Sequence, residues 1–86
     1  MEKIYILNVI DIQEGVLTQE IECFEDKTLA LKNLDIEEKR FLKDWEDLID
    51  EHRCVIEKEE NSLTIYENGK SSQNATYVTL YEKKCN

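Results

Sequence analysis

The chain of 86 residues has no proline and only two glycines, Gly15 and Gly69. Neither glycine sits in GxGxxG or GxxxxGK, so the sequence holds no glycine-rich cradle for a nucleotide phosphate. Cysteine is sparse: Cys23, Cys54 and Cys85 are too few and too scattered for a disulfide framework, and an odd count fits a reducing compartment. Basic residues are also in short supply, with 11 Lys and Arg against 20 Asp and Glu, a formal net charge of −9 at pH 7. That balance repels phosphate backbones and anionic lipid heads, which argues against direct contact with nucleic acid or a membrane surface. No apolar run approaches the roughly 20 residues needed to cross a bilayer. The opening MEKIYILNVIDIQEG lacks a small-residue cleavage site after its apolar stretch, so the expectation is a cytoplasmic chain.

What is present fits a folded domain. Hydrophobic residues make up 41% and charged residues 36%, a mixture able to form one modest core. No internal repeat, linker or low-complexity tract divides the chain, and residues 1–86 read as a single domain.

Lys3 to Ile12, KIYILNVIDI, places Ile4, Ile6, Ile10 and Ile12 on one parity and Tyr5, Leu7 and Val9 on the other. Apolar residues on both parities predict an interior strand partly covered on both faces. Gln13-Glu14-Gly15 interrupts the pattern with a glycine able to take positive φ. Val16 to Phe24 then resumes alternation, with Leu17, Ile21 and Cys23 on one side, completing a β-hairpin whose second strand lies nearer an edge.

Asp26 is a good N-cap, and from there through Cys54 strong helix formers dominate without Gly or Pro. Ala30, Leu34, Phe41, Trp45, Leu48 and Ile49 share one helical stripe, with a gap at Glu37 and Glu38. The reading is one long helix from about Lys27 to Asp50. Asp35-Ile36-Glu37-Glu38 resembles a capping box, so a break near Asp35 stands as the alternative.

His52 to Lys58, Ser62 to Glu67 and Ala75 to Lys83 read as three further strands, with Asn68-Gly69 opening the last turn. A tight Asn-Gly hairpin and a longer loop through Asn74 are both compatible with the spacing. Either way the order is ββαβββ: an α+β fold with an antiparallel five-stranded sheet, its helix segregated to one face.

The aliphatic parities then pack against the helix stripe, because burial contributes roughly 25 cal/mol per Å² of apolar area. The set able to supply this face comprises Ile4, Ile6, Ile10, Leu17, Ile21, Cys54, Ile56, Leu63, Ile65, Val78 and Leu80. The opposite parity carries Tyr5, Leu7 and Val9, then Thr64 and Tyr66, then Tyr77, Thr79 and Tyr81, and no second helix exists to cover it. Such residues make ordinary cross-strand pairs. Tyrosine is also enriched at binding hot spots, which makes Tyr5, Leu7, Val9, Tyr66, Tyr77 and Tyr81 the candidate interface, for a two-fold homodimer or a protein partner.

Catalytic chemistry finds little support. His52 and Cys54 project to one face if both lie in a strand, but zinc takes three or four ligands and no CxxC or HxxxH accompanies them. A Cys54 nucleophile needs an exposed thiolate, and Cys54 falls on the inward parity. Asp44, Glu46, Asp47, Asp50, Glu51, Glu57, Glu59 and Glu60 read as solvated acids, not as a pair whose pKa values are held apart. No cofactor, metal or enzymatic activity is expected.

The layout resembles that of small uncharacterised bacterial and phage proteins. The resemblance is carried by the KIYIL strand, the glycine turn, a strand ending in Phe24, the acidic EDK entry to a helix bearing Ala30, and the closing YVTLYEK strand. It implies no activity and transfers no site. The expected function is therefore a non-enzymatic binding module. A decoy is the alternative, in which the acids between Asp35 and Glu60 stand in for phosphates on another protein's basic, nucleic-acid-binding surface.

Overall fold

The computed structural model describes residues 2–85. Strands β1 (Glu2–Gln13) and β2 (Val16–Phe24) are followed by helices α1 (Lys27–Asp44) and α2 (Glu46–Asp50), then by β3 (Cys54–Glu59), β4 (Ser62–Glu67) and β5 (Ala75–Cys85). All pairings are antiparallel, in the order β2-β1-β5-β4-β3, so β1, β5 and β4 form the interior and β2 and β3 the edges.

Local chemistry explains the junctions. Glu14 and Gly15 both take positive φ, 52° and 82°, as a two-residue hairpin of matching twist requires. Asp26 caps α1, its carboxylate accepting from the Thr28 N–H at 2.9 Å. Asn68-Gly69 opens the longer of the two loops: Tyr66 pairs with Ala75, and the Glu67 N–H reaches the Asn74 carbonyl at 3.1 Å. Asn74 also accepts from the Glu14 N–H, and the Gly15 N–H donates to the Gln73 carbonyl, tying this loop to the β1–β2 turn.

The helix passes Asp35 without a break. Asp35 instead pairs with Lys39 at 2.9 Å, one helical turn on. The interruption falls at Trp45, whose φ of −92° and ψ of 3° end α1 and begin α2. Its indole is anchored to the sheet through Thr76, and the chain bends where that anchor sits. The gap in the stripe is only chemical: Glu38 is buried with Ala30, Leu34 and Phe41, and its carboxylate lies 3.0 Å from the Lys58 ammonium.

The first two strands sit on the sheet with the faces opposite to expectation. Leu7 and Val9 lie in the core with Ala30, Leu34, Phe41, Trp45, Leu63, Ile65, Val78 and Leu80, and Tyr5 packs against that cluster. Leu7 stands opposite Leu80 and Val9 opposite Val78, and directly opposed residues share a face. Ile4, Ile6, Ile10 and Ile12 consequently turn to the open side, together with Leu17, Ile21 and Cys23 of β2. Leu63, Ile65, Val78 and Leu80 face the helix as their pattern predicts, as does Cys54, whereas Ile56 shares that side of β3 but is 41% exposed and lies outside the core.

Candidate functional site: the open sheet face

Alternation and register together define the open face. Across the sheet it presents Cys23, Ile6 and Tyr81; then Ile21, Asn8, Thr79 and Ser62; then Gln19, Ile10, Tyr77, Thr64 and Glu57; then Leu17, Ile12, Ala75, Tyr66 and Val55. Tyr66, Tyr77 and Tyr81 are placed here as expected. Tyr5, Leu7 and Val9 lie on the helix side instead: Leu7 and Val9 are buried under the helix, and Tyr5 is half-buried against the same cluster. Their place is taken by the half-buried Ile4, Ile10 and Ile12 of β1 and by Leu17 and Ile21, which are 57% and 58% exposed, while Ile6 on the same face is buried.

The face is poor in charge. Among the described residues its strands contribute only Glu2, Lys83, Glu57 and Glu59, the last two on the β3 edge. Its polar centre is internally matched, with the Gln19 amide donating to Asn8 Oδ1 at 2.8 Å. The acids gather elsewhere. Glu20 and Glu22 alternate onto the helix side of β2, and Asp44, Glu46, Asp47 and Asp50 lie on the helices. Two of the acids between Asp35 and Glu60 turn to the open side, while Asp35, Glu37, Glu38 and Glu51 pair with Lys39, Arg40, Lys58 and Arg53.

His52 stands outside β3, two residues beyond α2, with φ of 56°. Its N–H donates to the Ile49 carbonyl and that of Arg53 to the Leu48 carbonyl, the paired bonds of a Schellman helix end. This position, at the helix end, takes it out of the strand expected to begin at His52 and off the face of Cys54. Cys54 is half-buried on the helix side, and burial pushes its thiol above the ordinary value, disfavouring a nucleophilic thiolate. Among the described residues, no three His, Cys, Asp or Glu side chains are grouped to hold a metal ion. No helix among them is long and apolar enough to cross a membrane.

The missed signal was the register of β1. Once β1 pairs with β5, Leu7 and Val9 have to follow Leu80 and Val78 to the helix side. No protein-family model, curated protein or solved structure matches this chain.

Proposed function

We propose that this protein is a non-enzymatic interaction module whose open sheet face pairs with the same face of a second copy. The observation that carries this reading is a set of aliphatics and tyrosines, exposed at Leu17, Ile21 and Tyr81 and half-buried at Ile10 and Tyr77, on the side of the molecule with the fewest charges. Monomers seldom leave contiguous apolar patches larger than a few hundred Å² in water.

The dimensions are adequate. The two longer extents of the molecule, 46 and 22 Å, enclose on the order of 1,000 Å², and a standard interface takes about 800 Å² from each partner. Two sheets packed face to face, about 10 Å apart, bury the aliphatics and leave both acidic helix layers in water. A two-fold arrangement keeps those like charges on opposite outer surfaces of the pair.

The experiment is light scattering at micromolar concentration on the intact chain and on Ile21→Glu and Tyr81→Glu. The expected result is a dimer that both substitutions convert to a folded monomer. A wild-type chain that stays monomeric, or a dimer indifferent to both substitutions, overturns the reading.

A further inference from the structure

The two sheet edges differ. β3 has six residues and presents Glu57, Lys58 and Glu59 in succession, charges of the kind that blunt an edge. β2 has nine, VLTQEIECF, with no proline, no lysine and no arginine. Its register to β1 runs without a bulge from Tyr5 opposite Phe24 to Gln13 opposite Val16. Its only charges are Glu20 and Glu22, so its outer backbone groups form a template for a strand that brings the opposite charge.

The side chains along this edge sort by chemistry. Leu17, Ile21 and Cys23 point to the open face with Gln19 among them, and Thr18, Glu20 and Glu22 to the helix side, between Val16 and Phe24 at the strand ends. Beside Glu20 lies a trough of about 190 Å³ lined by Val9, Asp11, Thr18, Phe41 and Asp44. Arg40 also borders it, but two hydrogen bonds to Glu37 engage its guanidinium, at 2.6 and 3.0 Å. Glu20, Glu22 and Asp44 have no ion-pair partner among the described residues.

From this we infer that the β2 edge accepts an extended segment of a partner protein in which Lys or Arg alternates with aliphatic residues, adding a sixth strand. Alternation sends the basic side chains toward Glu20, Glu22 and the trough that ends at Asp44, their methylene stems lying over Thr18 and Val9. The aliphatic residues extend the row of Leu17 and Ile21. Main-chain bonds supply the pairing, and the alternating pockets supply selectivity. A second copy brings no basic residue to this edge. Antiparallel self-pairing centred on Glu20 opposes that residue to itself, and centring on Ile21 opposes Glu20 to Glu22, with no base on β2 to relieve either. The inference is independent of face-to-face pairing, which covers the flat of the sheet and leaves this edge free.

The test is amide NMR and hydrogen exchange on the full chain with a synthetic peptide alternating Lys and Val. The same peptide is also made N-methylated at odd or at even positions, and as a shuffled sequence with its lysines together. The expected result is new protection confined to Val16–Phe24 amides, loss of binding with one N-methylated form, and about tenfold weaker binding for the Glu20→Gln, Glu22→Gln double variant. Equal binding of all four peptides, or changes spread over the helix acids, overturns the inference. So does protection of the outer β2 amides in the free protein at a concentration where it is monomeric, since the edge is then already closed.

Discussion

The indole N–H of Trp45 donates to the Thr76 hydroxyl at 2.9 Å, both side chains buried, and Thr76 in turn donates to Asp11 Oδ1 at 2.7 Å. One hydroxyl thus joins the helix break, β5 and β1. Thr76→Val keeps the volume but strands the indole N–H and removes a donor from Asp11. The expected loss is about 1–3 kcal/mol in urea unfolding followed by Trp45 fluorescence. An unchanged midpoint would show that the N–H finds another acceptor.

The two faces of β1 and β2 separate under truncation. Leu7→Ala opens the core and is expected to cost about 2–5 kcal/mol. Ile21→Ala, on an exposed edge, is expected to stay within about 0.5 kcal/mol in the monomer. Thermal melts at low protein concentration measure both, and a reversed order would restore the opposite assignment of faces.

His52 holds a left-handed conformation that glycine adopts freely and a side chain resists. His52→Gly is expected to stabilise the protein by about 0.5–1 kcal/mol, because the two helix-ending bonds use main-chain atoms and survive. His52→Val should shift the denaturant midpoint the other way.

Glu38 lies at 9% exposure with its Oε2 atom near Lys58 but without hydrogen-bond geometry. Lys58→Met removes the compensating charge and is expected to cost about 1–3 kcal/mol. Adding Glu38→Leu should recover most of that loss, a coupling that a double-mutant cycle reads directly.

Thiol chemistry should rank the cysteines by exposure. Cys23 on the open face is expected to alkylate faster than Cys54, as mass spectrometry of partly labelled protein resolves. Because burial raises the Cys54 pKa above its ordinary 9.0, the folded state favours the thiol. Its contribution to stability is complete below that value and is lost as pH rises past it. Cys54→Ser should flatten this alkaline decline.

The strands whose alternation was unambiguous proved legible. In β4 and β5, Leu63, Ile65, Val78 and Leu80 alternate with Thr64, Thr79 and the tyrosines, and only one assignment buries the aliphatics. β1 offers isoleucines on one parity and Leu7 and Val9 on the other, so the side facing the helix depends on its neighbour. β2 misled for a different reason. As an edge strand at the margin of the helix it leaves Glu20 and Glu22 wet on the helix side, while Leu17 and Ile21 join the open side. The helix end at Trp45 depends on Thr76, a partner 31 positions away, which local propensity does not encode.

The central place of β5 also sets how the chain must fold. The β1–β2 and β3–β4 hairpins close locally, but isolated hairpins are marginal in water, and here each lacks the neighbour that completes the core. Only β5 bridges them, pairing with β1 from Glu2 opposite Cys85 to Ile12 opposite Ala75. The costly step is therefore a long-range closure between the first strand and the last, which slows folding relative to a helical protein of similar length. A chain cut before Ala75 leaves the two hairpins unjoined, with six of the ten core residues in the first part and only Leu63 and Ile65 in the second.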